Sequence, residues 1–170
     1  MTRSNLLPCG RPRTPAPSPL SDEKLEEIHS KLKNYLSAQN LKYTSQRWQI
    51  AELILKTAGH LDAGQIVEKV KSEHPSIGAA TVYRAIKVLQ EAGILIESHQ
   101  NSQGRILFEL PDDEHHDHII CTDCGEIFEF HDAQIENLQH KVAQKFGFVL
   151  KEHRHVIRGK CEFLKKKQSL

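Results

Sequence analysis

Residues 115 to 124 read His-His-Asp-His-Ile-Ile-Cys-Thr-Asp-Cys and place seven potential metal ligands in ten positions. Imidazole, carboxylate and thiolate are the side chains that coordinate divalent transition metals. The surrounding stretch from Glu109 to Glu136 holds ten carboxylates and neither Lys nor Arg, so no fixed cation competes for those donors. In an extended strand successive side chains point to opposite faces, which puts His116 and His118 on one face and His115 and Asp117 on the other. One short segment would thus feed two sites. A His-His pair alone reads as a solvated polar loop. Cys121-x-x-Cys124 just beyond it is an ordinary half of a zinc site and turns the reading to metal binding.

The chain that must position these donors has 170 residues, enough for one domain or two small ones. Its first twenty residues carry five of the seven prolines, three arginines and no acids, the composition of a disordered tail. Leu6-Leu7 is too short an apolar run for a signal peptide or a membrane span, and a cytoplasmic protein without a membrane partner is expected. In a reducing compartment the four cysteines speak for metal or redox chemistry and against a disulfide frame. The net charge of +1 is unevenly spread. Residues 21 to 108 hold eleven Lys/Arg against ten acids, and residues 109 to 170 hold nine against twelve. Any nucleic-acid binding must therefore come from a local basic face.

Ser21 followed by Asp22-Glu23 reads as an N-cap with acids in the first turn, and Leu25, Ile28, Leu32, Tyr35 and Leu36 give an amphipathic helix to about residue 38. A second helix opens near Thr44-Ser45, turns Trp48, Ala51, Ile54, Leu55 and Ala58 inward, and stops at Gly59. A third starts at Asp62, with Gln65 completing a capping box, buries Ala63, Ile66, Val67 and Val70, and ends before Pro75. A fourth runs from Ala79 to Ala92 over Val82, Ile86 and Leu89, with Gly93 as its stop. Ile94 to Glu97 and Arg105 to Glu109 flank a Gly-containing loop as the strands of a hairpin. Helices followed by a hairpin describe a winged helix whose fourth helix reads DNA.

After the polar hinge at 111–114 the expected order is strand 118–121, a Cys-x-x-Cys-Gly turn, strand 126–130, helix 132–146 and strand 148–157. Ile135, Leu138, Val142 and Phe146 would line the inner side of that helix. So small a unit has an edge strand and a meagre core, and dimerisation would relieve both. The fold class is α/β in the α+β sense. An N-terminal winged-helix DNA-binding domain (21–110) precedes a small C-terminal dimerisation and metal-binding domain (115–163), with flexible tails at 1–20 and 164–170.

Three motifs occur in order: Leu41-Lys42-Tyr43-Thr44-Ser45-Gln46-Arg47, Gly78-Ala79-Ala80-Thr81-Val82-Tyr83-Arg84, and His115-His116-Asp117-His118-Ile119-Ile120-Cys121-Thr122-Asp123-Cys124-Gly125. With them the chain resembles, over about residues 25 to 161, the ferric uptake regulator family of bacterial metal-dependent repressors. The resemblance implies a sensing site of His60, Glu109, His118 and Glu129, with His116 as a further ligand, that would bridge the two halves. It implies a second site of His115, Asp117, Glu136 and His153. It also implies a structural zinc on two cysteine pairs, of which Cys121, Cys124 and Cys161 are present. Residues 162 to 167 offer no fourth Cys or His, so water, another side chain or a second subunit would complete that site, or it is vestigial.

For DNA, Tyr83 and Arg84 would reach base edges, Thr81 and Arg47 would contact the backbone, and Lys42 resembles the family's minor-groove lysine. The implied function is a homodimeric repressor on an inverted-repeat operator in double-stranded DNA, with no small-molecule substrate. It would use Fe(II), or Mn(II) as surrogate, at the regulatory site and Zn(II) at a second or structural site. A peroxide-sensing relative usually carries Asp where Glu109 and Glu129 stand; a zinc sensor is the other alternative. A zinc hydrolase or deaminase would need the H-E-x-x-H or H-x-E…P-C-x-x-C arrangement, which the chain lacks, so no enzyme is expected.

Overall fold

The computed structural model describes residues 20–57, 59–101, 103–111 and 115–160. The chain divides into two compact units between Asp112 and Asp113. Most of the N-terminal tail, the hinge residues 112–114, Ala58, Cys161 and the C-terminal tail lie outside the described residues. Leu20, assigned from composition to the tail, instead packs against the core of the first unit.

In the first unit, helix α1 (Asp22–Ala38) is capped by Ser21, whose Oγ accepts from Lys24 N at 3.2 Å. Helix α2 (Ser45–Lys56) is capped by Thr44. Helix α3 (Ala63–Glu73) has the full capping box, with Asp62 accepting from Gln65 N and the Gln65 side chain accepting from Asp62 N, both at 2.9 Å. Helix α4 (Ala79–Glu91) ends at Gly93, whose φ of +61° lets the Ile94 N–H turn back to the Leu89 carbonyl. Lys31 Nζ donates to the Gly93 carbonyl at 2.7 Å and the Tyr35 hydroxyl donates to Glu91 at 3.0 Å, fastening α1 to the end of α4. The core joins Leu32 and Leu36 of α1, Ile50 and Ile54 of α2, Ile66 and Val70 of α3, and Val82, Ile86 and Leu89 of α4.

The wing is a three-stranded sheet in the order β1-β3-β2, from β1 (Leu61–Asp62), β2 (Ile96–Gln100) and β3 (Ile106–Glu109). The sequence reading placed the first hairpin strand two residues earlier and had no β1. Ile94 and Leu95 are buried, but both turn back onto Leu89 as part of the exit from α4, and burial alone does not separate a strand from a helix exit. A two-residue strand has too short an alternation to announce itself.

In the second unit, β4 (Asp117–Cys121) lies between β5 (Ile127–Phe130), antiparallel, and β6 (Val156–Gly159), parallel. Gly125, at φ +72°, donates its N–H to the Cys121 carbonyl and closes the Cys-x-x-Cys turn. Helix α5 (Ala133–Lys145) is capped by Asp132, which accepts from Gln134 N at 2.8 Å.

Two expectations fail in this unit. The last strand spans Val156–Gly159 rather than 148–157, because only the run from His155 onward meets β4. Of the four residues expected on the inner side of α5, Ile135 is half-buried, but Leu138, Val142 and Phe146 are 60%, 56% and 70% exposed. A three-stranded sheet is too small to cover the whole helix face.

Candidate metal centre

Strand β4 presents Asp117 to the side where α5 begins. The cap at Asp132 sets the start of α5, which puts Glu136 in its first turn, while His153 arrives on the chain leading into β6. His115, Asp117, Glu136 and His153 come together with one donor atom each, all within 4.8 Å of one another. His115 Nε2 stands 3.3 Å from Asp117 Oδ1 and 3.5 Å from Glu136 Oε1. His153 Nε2 stands 3.3 Å from Glu136 Oε2 and 4.0 Å from Asp117 Oδ1. Donors arranged tetrahedrally around a divalent ion at about 2.0–2.2 Å stand roughly 3.3–3.6 Å apart. The His115–Asp117, His115–Glu136 and His153–Glu136 distances lie within that range and His153–Asp117, at 4.0 Å, is slightly wider, so the four side chains stand close to ligand positions.

Their satisfaction points the same way. Asp117 is 1% exposed, and neither of its carboxylate oxygens has a hydrogen-bond partner; Glu136 Oε1 and His153 Nε2 are likewise buried without one. Buried polar atoms left unpaired are costly, and a coordinated cation is what such oxygens and imidazole nitrogens satisfy. The residues fit a divalent metal of the zinc, iron, cobalt or manganese type.

The other expected set is divided between the units. In the first, β1 pairs antiparallel with β3, Leu61 opposite Phe108, and this register brings the adjacent His60 Nε2 and Glu109 Oε2 into direct contact. The His60 side chain is only 7% exposed, unlike an ordinary loop histidine. In the second, His116 and His118 lie with ring centroids 5.0 Å apart, and Glu129 sits opposite His118 in the β4–β5 register. Cys121 ends β4 in a buried position and Cys124 follows in the turn, while Cys161 lies outside the described residues.

Two histidines near these groups were not singled out from sequence. His99 in β2 is buried with its ring 5.1 Å from that of His60. His155 brings Nδ1 within 3.4 Å of Asp117 Oδ2. The spacing His153-x-His155 was the available signal, since alternation in an extended chain sends both to one side.

On the first unit, Tyr83 (54% exposed) and Arg84 stand on the outer face of α4 while Val82 and Ala85 are buried, and Thr81 is half-buried in the first turn. Lys42 is exposed ahead of α2. Its carbonyl accepts from Arg47 Nη1, so that guanidinium braces the Lys42 turn.

A winged-helix unit in one chain with a metal-ligand cluster defines a metal-responsive DNA-binding regulator. Residues 38–158 match the model of the ferric uptake regulator family. The ferric uptake regulation protein of Bordetella parapertussis is 44% identical over 133 residues, covering 78% of this chain and 92% of that protein. The ferric uptake regulator structure of Helicobacter pylori, described as having three functional metal-binding sites, superposes with a TM-score of 0.74 at 29% identity, covering 83% of this chain and 93% of that one. The iron-containing ferric uptake regulator of Francisella tularensis gives 0.66 at 33% identity, covering 74% and 95%. The chain belongs to the ferric uptake regulator family: it is a metal-responsive transcription regulator, in a family of DNA-binding factors rather than enzymes. Among the described residues no helix is long and apolar enough to cross a membrane.

Proposed function

We propose that this regulator is an Fe(II)-dependent repressor of iron-uptake genes, binding an inverted-repeat operator as a homodimer. What supports the iron reading is the likeness to ferric uptake regulators, one of them an iron-containing structure, together with the donor set assigned to the sensing site, His60, Glu109, His116, His118 and Glu129: nitrogen and oxygen ligands without a thiolate, with Glu at both carboxylate positions. Such a set accepts Fe(II), Mn(II), Co(II) or Zn(II), so it admits iron without selecting it, and Glu rather than Asp at positions 109 and 129 speaks against the peroxide-sensing alternative. The ligands are supplied in part by each unit, so a metal with higher affinity for one arrangement shifts the population toward it. Zn(II) is assigned to the four-ligand cluster around Asp117, or to the cysteines.

Operator contacts are assigned to Tyr83 and Arg84 in the major groove, Thr81 and Arg47 at the backbone and Lys42 in the minor groove. The first turn of α4 has no side-chain cap, which leaves its backbone N–H groups for phosphate. The exposed Leu138, Val142 and Phe146 stripe of α5 is assigned to the homodimer.

The test is anaerobic fluorescence anisotropy on an inverted-repeat duplex, with metal-stripped protein titrated with Fe(II), Mn(II) and Zn(II) at one salt concentration. Tight binding switched on by Fe(II) or Mn(II) and not by trace Zn(II) supports the iron repressor. Activation by Zn(II) alone makes the protein a zinc sensor, and binding indifferent to every metal removes the regulatory mechanism.

A further inference from the structure

Asp117 has two buried oxygens facing different neighbours. Oδ1 faces the ligand nitrogens of His115 and His153, at 3.3 and 4.0 Å. Oδ2 faces His155 Nδ1 at 3.4 Å, and neither of those two atoms has a hydrogen-bond partner. His155 is not one of the four residues whose donor atoms cluster within 4.8 Å. Its backbone carbonyl accepts from His118 N at 3.1 Å, tying the start of β6 to β4. Its ring meets Phe130, the residue opposite Asp117 in the β4–β5 register, edge to face at 6.2 Å between centroids. The imidazole is thus held over the Asp117 oxygen that faces away from the ligand nitrogens of His115 and His153.

We propose that His155 is a positioning residue of the Asp117 metal site: its Nδ1–H donates to Asp117 Oδ2 and leaves only Oδ1 to coordinate. This rests on reading His115, Asp117, Glu136 and His153 as a metal site. A ligating carboxylate is usually oriented by a further hydrogen bond, and loss of such a partner typically costs about 10–100-fold in metal affinity. Here the bond has a second consequence. With Oδ2 engaged, Asp117 is monodentate and the site stays four-coordinate, the preference of Zn(II). With Oδ2 released, the carboxylate can chelate through both oxygens, and the site opens toward the higher coordination numbers of Mn(II) and Fe(II).

The experiment uses the full chain, stripped of metal, with Zn(II) affinity measured by chelator competition and geometry by Co(II) d–d absorption. Subtracting the spectrum of Asp117→Asn isolates this site from any other. His155→Leu is expected to weaken Zn(II) binding here by about 10–100-fold and to lower the intense absorption of four-coordinate Co(II). His155→Asn places an amide N–H where Nδ1 stands and is expected to restore both. His155→Leu with unchanged Zn(II) affinity and Co(II) spectrum overturns the positioning role. So does a loss that His155→Asn fails to restore, which marks direct ligation or packing instead. Should Asp117→Asn titrate like the wild type, the metal-site reading itself fails, separately from the role of His155.

Discussion

Asp117 concentrates the chemistry of the second unit in one side chain. A carboxylate 1% exposed, with both oxygens lacking hydrogen bonds, is tolerable where imidazoles surround it and a cation can bind. A ligand that binds only the folded state stabilises it, by about 2.7 kcal/mol when present at 100 times its Kd. Asp117→Ala is therefore expected to lower Zn(II) affinity at this site by at least about 100-fold, more than loss of an outer partner would. Thermal melts with and without metal should show a correspondingly smaller rise in Tm. His29 adds a pH-dependent contribution to the stability of the first unit. His29 stacks on Trp48 with centroids 3.8 Å apart, and its Nε2 hydrogen-bonds the Tyr43 hydroxyl at 2.9 Å. Burial holds its pKa below the usual histidine value; Lys33 adds to the effect, while Glu52 and Glu26 oppose it. A base whose folded pKa is lowered binds fewer protons folded than unfolded, so its contribution is complete above about pH 6.5 and is lost as pH falls toward the folded value. Melts from pH 7.5 to 5 should show a smaller acid loss in His29→Phe than in the wild type.

At the scale of elements, caps and periodicity carry the first unit. Asp62→Ala removes the acceptor for Gln65 N and the partner of Arg105, and should destabilise the protein by about 1 kcal/mol, within the roughly 0.5–2 range for lost caps, in chemical denaturation. On α4 the buried and exposed faces are separate, so Tyr83→Ala and Arg84→Ala should leave stability and metal binding intact. Each is expected to cost about 1–3 kcal/mol in operator affinity, read by anisotropy. The four helices and the Asp62 capping box are legible in the sequence because each depends on residues within a few positions of one another. The sheets were less legible. β1 exists only because β3 offers it a partner, and residues 148–155 form no strand because only the stretch beyond them reaches β4.

For the whole molecule the unresolved burial is on α5. Leu138, Val142 and Phe146 remain open in one chain, and Phe148 and Val149 continue the patch at 69% and 81% exposure. Contiguous apolar surface of this kind marks an interface. Val142→Asp with Phe146→Asp should convert a dimer to a monomer in light scattering and weaken operator binding, while the Asp117 cluster keeps its metal. The sequence by itself determined which donors are present and that they alternate along the chain, where four helices start and where three of them stop (α2 ends at Lys56, short of Gly59), and that a winged helix precedes a unit rich in potential metal ligands. These follow from local chemistry and short-range periodicity. Only the tertiary structure decided that Glu136 and His153 gather with His115 around Asp117, that His155 Nδ1 faces the second Asp117 oxygen, and that Leu138, Val142 and Phe146 face outward. Those outcomes depend on parallel pairing of β4 with β6 and on where α5 begins, and distances between residues far apart in the chain are settled by packing, which no local pattern encodes.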